Sequence, residues 1–285
     1  ADVIVGSQGY SPLTGSSAGR SYVVFGKTGS STINLSAVEA GSGGFVINGQ
    51  AASDYSGIDV GYAGDVNGDG LTDLIVSSTS AGKTYVVFGK TGTMGVDLSA
   101  VASGNGGYVV VGSTSGGFGS SVSSAGDLNG DGLSDLLIGA GSETVGAASA
   151  AGRTYVVYGQ TGTAAINITA VSAGSGGFVI NGQSSTDYFG ASVSNAGDLN
   201  GDGYDDLIVG AYGSDSIAGV NAGKSYVIYG GSQFISGNIA TATGTASDEL
   251  VIGTSGNDTL TGNGGVDRFN AGKGNDTIVL QASDV

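Results

Sequence analysis

A nine-residue acidic stretch, Asp-x-Asn-x-Asp-Gly-x-x-Asp, occurs three times in register, at Asp65–Asp73, Asp127–Asp135 and Asp198–Asp206. Asp, Asn and Gly alone make an ordinary turn. The same carboxylate spacing used repeatedly asks for a cation. Side-chain oxygens fall at positions one, three, five and nine of each stretch. They belong to Asp65, Asn67, Asp69 and Asp73; to Asp127, Asn129, Asp131 and Asp135; and to Asp198, Asn200, Asp202 and Asp206. A backbone carbonyl at position seven, from Leu71, Leu133 or Tyr204, would complete the shell. Hard oxygen donors of this kind select Ca2+, and the chain has no His and no Cys with which to hold a softer metal. The stretch is no EF-hand. The twelfth positions are Val76, Ile138 and Val209, where that loop needs Glu, and the flanks read as strands.

Each stretch sits inside a longer repeat. One copy runs Phe118-Gly-Ser-Ser-Val, then Ala125-Gly-Asp-Leu-Asn-Gly-Asp-Gly, then Leu136-Leu-Ile-Gly-Ala and Thr154-Tyr-Val-Val-Tyr-Gly, and closes on Gly177-Phe-Val-Ile-Asn-Gly. The closing Asp recurs at Asp73, Asp135 and Asp206, spacings of 62 and 71 residues. Asp2 lies 71 residues before Asp73 and is followed by Val-Ile-Val-Gly, so the chain opens on the last residue of such a loop. Each unit holds about four candidate strands; in the third they are Ala191–Asn195, Leu207–Ala211, Ser225–Tyr229 and a segment after Gly231. Units of this length read as propeller blades. The composition agrees: 58 Gly and a single Pro, without a Gly-X-Y period, suit many short strands joined by tight turns. The loop from the second to the third strand is long in three units and short after Asp73.

From Gly253 the period falls to nine residues. Asp258, Asp267 and Asp276 hold one position of this shorter repeat and Leu260, Phe269 and Ile278 another, the pattern of a calcium β-roll. The expected fold is therefore all-β: a partial propeller of about four blades over residues 1–235, a linker or last strand over 236–252, and a short calcium β-roll over 253–285.

The net charge is −16, with eight Lys plus Arg, and ten of the 24 acidic residues lie in the three loops. Such a chain repels nucleic acid and anionic membranes and attracts cations. No apolar run is long enough to span a bilayer. Gly15-Ser-Ser-Ala-Gly matches a nucleophile elbow, but no His exists to complete a triad. No catalytic residues are expected, and the chain reads as a non-enzyme.

The phrase Phe-Gly-x-Ser-Val-x-x-Ala-Gly-Asp-Leu-Asn-Gly-Asp-Gly resembles the FG-GAP repeat of integrin α-chain propellers. The Ile33–Phe45 and Ile166–Phe178 segments resemble those of very large secreted bacterial proteins, and the tail resembles their RTX repeats. The resemblance implies a seven-bladed propeller with Ca2+ in hairpin loops on one face. Ligands, protein or glycan, would meet the opposite face, where Tyr10, Tyr55, Tyr188, Phe189 and Tyr212 are candidate stacking surfaces or inter-blade packing. It also implies a secreted or cell-surface location, bacterial, with type I export, and a ring that a longer polypeptide or a second chain closes. The expected function is a calcium-stabilised structural or adhesion protein. The alternatives are an accessory propeller of a larger secreted hydrolase, and a subunit of a self-assembling filament or surface layer.

Overall fold

The computed structural model describes residues 2–11, 16–201, 203–215 and 220–231, and five short strands between 241 and 279. The first 231 residues build four sheets, one per sequence repeat. Blade A holds β1 (Val3–Ser7), β2 (Arg20–Val24) and β3 (Gly44–Asn48). Blade B holds β4 (Val60–Gly64), β5 (Asp73–Ser78), β6 (Lys83–Val87) and, after the two-residue β7 (Val96–Asp97), β8 (Gly107–Val111). Blade C holds β9 (Ser121–Gly126), β10 (Asp135–Ala140), β11 (Arg153–Val157) and, after β12 (Ile166–Asn167), β13 (Gly177–Asn181). Blade D holds β14 (Ser192–Gly197), β15 (Asp206–Ala211) and β16 (Lys224–Ile228). Neighbouring strands within a blade are antiparallel, as hairpin connections dictate. The segment after Gly231 that sequence alone offers as a further strand of blade D lies outside the described residues.

Two features escape a sequence reading based on period-two patterns. Short helices precede the outer strands: α1 (Leu35–Glu39), α2 (Leu98–Ala102) and α3 (Ile168–Ser172). Each is a single turn held by apolar residues three apart, such as buried Leu98 and Val101, against the sheet beneath. Next to α2 and α3, the chain lends a two-residue strand to the blade before it. Val96–Asp97 pairs in parallel with Ile47–Asn48 of blade A, and Ile166–Asn167 with Val110–Val111 of blade B.

The core lies between the sheets. Tyr85, Tyr108, Tyr155 and Phe118 are fully buried, and β10 is buried along its whole length. Near-continuous apolar runs such as Leu136-Leu-Ile follow from this two-sided burial. Fully burying one such side chain is worth about 1.5–3 kcal/mol. First strands pack in chain order, β4 on β9 and β9 on β14.

The C-terminal segment pairs differently. β17 (Thr241–Thr243), β19 (Thr259–Thr261) and β21 (Thr277–Val279) form one parallel sheet; β18 (Leu250–Ile252) and β20 (Arg268–Asn270) form another. Parallel pairing at intervals of eighteen residues, as in Leu260 opposite Ile278, is what a nine-residue half-turn produces. Val251, Leu260 and Phe269 form the small core between the two sheets. The coil takes in β17 and β18, upstream of Gly253. The stretch Gly244-Thr-Ala-Ser-Asp-Glu-Leu-Val-Ile carries the nine-residue period with Glu249 in the Asp position, which disguises it.

Candidate metal centres

Each acidic stretch forms the hairpin between the first and second strands of a blade. A β-bulge precedes it. Asp73, Asp135 and Asp206 pair across the ladder with Gly64, Gly126 and Gly197, where the register shifts. These glycines have φ of 80°, 70° and 66°, a left-handed backbone that favours Gly. The bulge re-aims the end of the strand and turns the ninth Asp inward.

The loops then repeat one hydrogen-bond scheme. In blade B, Asp65 Oδ1 accepts from the Gly68 and Asp69 amides at 2.8 and 3.1 Å, and Oδ2 from Gly70 at 2.9 Å. In blade C, Asp127 accepts from Gly130, Asp131 and Gly132 at 2.7, 3.1 and 2.9 Å. In blade D, Asp198 accepts from Gly201 and Gly203 at 2.7 and 2.9 Å. The third and fifth side chains meet as well: Asn67 Nδ2 donates to Asp69 Oδ2, and Asn129 Nδ2 to Asp131 Oδ2, both at 3.0 Å.

The ninth Asp is fully buried in all three blades. One of its oxygens accepts from the second loop residue, Val66, Leu128 or Leu199, at 2.9, 3.0 and 2.7 Å. The other accepts from a glycine just past the third strand: Gly89, Gly159 or Gly230, at 2.7, 2.9 and 2.8 Å. Asp2 makes the same bond with Gly26 at 2.8 Å, so it occupies the ninth position of blade A, as its spacing implied.

Burial sets the electrostatics. Desolvation raises the Asp73 carboxyl to about 6 against two amide bonds that lower it, and the charges of Asp69 and Asp65 add to the rise. Asp135 rises to about 7 for the same reasons, with Asp131 and Asp127 as the neighbouring charges. Positions one, five and nine therefore feel one another. A cation among them relieves the repulsion.

The donor set fits calcium: hard oxygens, mutually repelling carboxylates and a tight glycine turn. Among the described residues no three acidic side chains are already drawn into a cage. The first carboxylate is occupied with loop amides, and position five, exposed at Asp69 and Asp131, faces solvent. A carboxylate oxygen has a second lone pair, so an amide bond does not use it up. Asp202 of the third loop, and Asp258, Asp267 and Asp276 of the roll, lie outside the described residues.

The candidate aromatics divide. Phe189 is buried, meets Tyr226 edge-on at 5.4 Å and shares a core cluster with Leu137, Val156 and Ile180 of blade C, so it is inter-blade packing. Tyr10 lies under the Arg20 guanidinium at 3.8 Å. Tyr188 and Tyr212 stack at 4.7 Å with their planes 6° apart, and Tyr212 is 63% exposed. Tyr55 and Tyr188 occupy equivalent loops with φ of 52° and 56°, uncommon for a residue with a side chain.

This arrangement defines an all-β repeat protein of propeller-type blades, three of the four with an acidic hairpin. The repeats are FG-GAP repeats, matched at residues 61–87, 118–157 and 189–228, followed by an RTX calcium-binding nonapeptide repeat over residues 243–278. The chain is similar to integrin alpha-5 of Xenopus laevis, 32% identical over 181 residues, or 59% of this chain. It is similar to integrin alpha-PS5 of Drosophila melanogaster at 30% identity and to integrin alpha-IIb of Mus musculus at 29%, each over 60% of the chain. It spans 16% of the length of each of these curated relatives. Both kinds of repeat indicate Ca2+ as the cofactor. Families of this kind are in general structural or adhesive rather than catalytic. No helix among the described residues is long and apolar enough to cross a membrane.

Proposed function

We propose that this chain is a non-catalytic, calcium-stabilised module of an extracellular adhesion or structural protein. One observation carries the reading: the same hairpin scheme recurs at the same place in three consecutive blades, the first Asp accepting from the fourth loop amide at 2.8, 2.7 and 2.7 Å and from the sixth at 2.9 Å in each. The calcium ligands are Asp65, Asn67, Asp69 and Asp73, with the Leu71 carbonyl, and their equivalents Asp127, Asn129, Asp131, Asp135 and Leu133, and Asp198, Asn200, Asp202, Asp206 and Tyr204. Asp258, Asp267 and Asp276 serve the roll. The blade residues orient the ion and exclude water from the ninth carboxylate. The metal supplies charge neutralisation and a rigid cross-link, not a reaction step.

Physical chemistry makes the calcium a switch for folding. Without it each loop crowds like charges. Binding to the native state alone adds about 2.7 kcal/mol per site at hundred-fold saturation. Extracellular modules bind calcium with Kd on the order of 10⁻⁴–10⁻³ M. Sites of that strength stay empty in a cytosol and fill outside the cell, which supports an exported protein that consolidates on release, in keeping with a type I route. The end of each blade opposite the acidic hairpins is left for a protein or glycan ligand.

The test is a thermal unfolding series against free calcium, with magnesium as control. A calcium-specific rise in midpoint, reduced stepwise by Asp69→Ala and Asp131→Ala, is the expected result. An unchanged midpoint in chelator and in calcium would end the metal-centre reading.

A further inference from the structure

Asn followed by Gly is the dipeptide at which a polypeptide most readily rearranges unaided, because the glycine amide approaches the asparagine side chain with no Cβ in the way. The chain has seven such pairs, and six lie among the described residues: Asn48-Gly49, Asn67-Gly68, Asn105-Gly106, Asn129-Gly130, Asn181-Gly182 and Asn200-Gly201. As dipeptides they are equivalent. The fold makes them unequal.

The attacking atom is the glycine nitrogen, which must first lose its proton. Five of the six amides are tied. Gly68, Gly130 and Gly201 donate to the first carboxylate of their acidic loop at 2.8, 2.7 and 2.7 Å. Gly49 and Gly182 donate to the carbonyl oxygens of Gly19 and Gly152 at 3.0 and 2.8 Å. A proton shared with a carboxylate or a carbonyl is harder to remove, and the nitrogen that carries it is held in place. The Gly106 amide has no acceptor among the described residues. Asn105 and Gly106 are both exposed, Gly106 has a φ of 74°, and a Cβ on it would meet nothing within 4 Å, so water and base reach the amide.

The turn that holds this pair is otherwise a repeated one. Ser42-Gly43 and Ser175-Gly176 stand at the same place in blades A and C, between the short helix and the outer strand. Ser42, Asn105 and Ser175 donate their amides to the Ala37, Ala100 and Ala170 carbonyls at 2.9, 3.0 and 2.9 Å. The Gly43, Gly106 and Gly176 carbonyls accept from Phe25, Phe88 and Tyr158 at 2.9, 2.9 and 3.0 Å. The turn therefore forms equally well around Ser, and of the three blades B alone places a side-chain amide there.

We propose that Asn105 is a site of spontaneous modification in the folded chain, converting to aspartate and isoaspartate. The Gly106 nitrogen gives its proton to solvent base and bonds to Asn105 Cγ. The Cγ–Nδ2 bond breaks, and Nδ2 takes up a proton and leaves as ammonia. Water then opens the cyclic imide. Hydrolysis at Cγ leaves aspartate; hydrolysis at the main-chain carbonyl leaves isoaspartate, with one extra carbon in the backbone. Water is the only co-reactant. Either product adds a negative charge to a turn that rests on blade C: a Cβ on Gly104 would lie 2.9 Å from Thr163 Oγ1, on the segment leading into β12. The modification falls beside the seam where blade C lends its strand to blade B.

The test incubates the full, calcium-loaded chain at neutral pH and reads aspartate and isoaspartate at each pair by peptide mass mapping, with a denaturant-unfolded sample alongside. In the folded chain Asn105 is expected to convert at least about tenfold faster than each of the other five, and in denaturant all six at comparable rates. Asn105→Ser, the residue that blades A and C carry there, should remove the early isoaspartate signal and leave the thermal midpoint unchanged. Even rates across the six in the folded chain, or a faster pair elsewhere, would overturn the assignment. So would an Asn105 that still leads once the chain is unfolded, since the fold would then not be the cause.

Discussion

Blades C and D share a sequence pattern but not an environment. Leu137 in β10 and Ile208 in β15 are equivalent residues; the first is fully buried and the second 38% exposed. Leu137 packs in the cluster that joins the two blades, with Val193 and Leu207 of blade D. Nothing among the described residues does the same for Ile208. The difference teaches that a blade's outward side chains become core only when a neighbour arrives. The stability of such an array is then a sum of what each repeat contributes alone and what each interface adds.

The comparison can be broken most directly at those two residues. Leu137→Ala is expected to cost about 2–5 kcal/mol and Ile208→Ala below about 1 kcal/mol, read by denaturant unfolding. Equal losses would mean that β15 is covered in solution. Next in size is the glycine pair. Gly139→Ala drives a methyl into the Gly190 carbonyl and should cost about 1–3 kcal/mol, whereas Gly210→Ala should stay within about 0.5 kcal/mol. A large loss at Gly210 would show that another chain packs against it.

The smallest effect is a pH dependence. Asp59 Oδ2 accepts from the Val122 amide at 2.7 Å across the B–C interface; Ser121 Oγ accepts from Val193 at 3.2 Å across the C–D interface. Burial raises the Asp59 carboxyl above its usual 3.8, against two amide bonds that lower it. A raised pKa means that the folded state favours the proton. The contribution is full below 3.8 and is lost as pH rises through the raised value. In chelator, Asp59→Ser should flatten this fall in thermal midpoint relative to the parent chain. A steeper fall in the variant would reverse the sign and refute the desolvation account.

The sequence made the blades and the loop spacing legible because both rest on short-range chemistry. A carboxylate at positions one, five and nine reports itself, and so does the Asp2 spacing that its bond to Gly26 bears out. Other features depend on partners far along the chain. Val96–Asp97 is strand only because Ile47–Asn48 lies beside it, and no pattern of two residues announces that. The partners of the basic residues that open Arg20–Val24, Lys83–Val87 and Arg153–Val157 were likewise invisible: Arg20 meets Glu39, Arg153 meets Glu143 and Lys83 meets Gln50. The upstream half-turns of the roll were hidden by a Glu where the other coils have Asp.

The lent strands have a consequence for how the chain can be divided. Blade B's sheet is completed by Ile166–Asn167, which lies beyond β11 of blade C. Repeat boundaries in the text and unit boundaries in space are therefore offset, like shingles laid with an overlap. A polypeptide cut between β8 and β9 keeps every residue of the second repeat and still leaves its sheet one strand short. As the chain emerges from a ribosome, blades A and B are each finished by residues of a later repeat, so their completion advances from the N-terminal side.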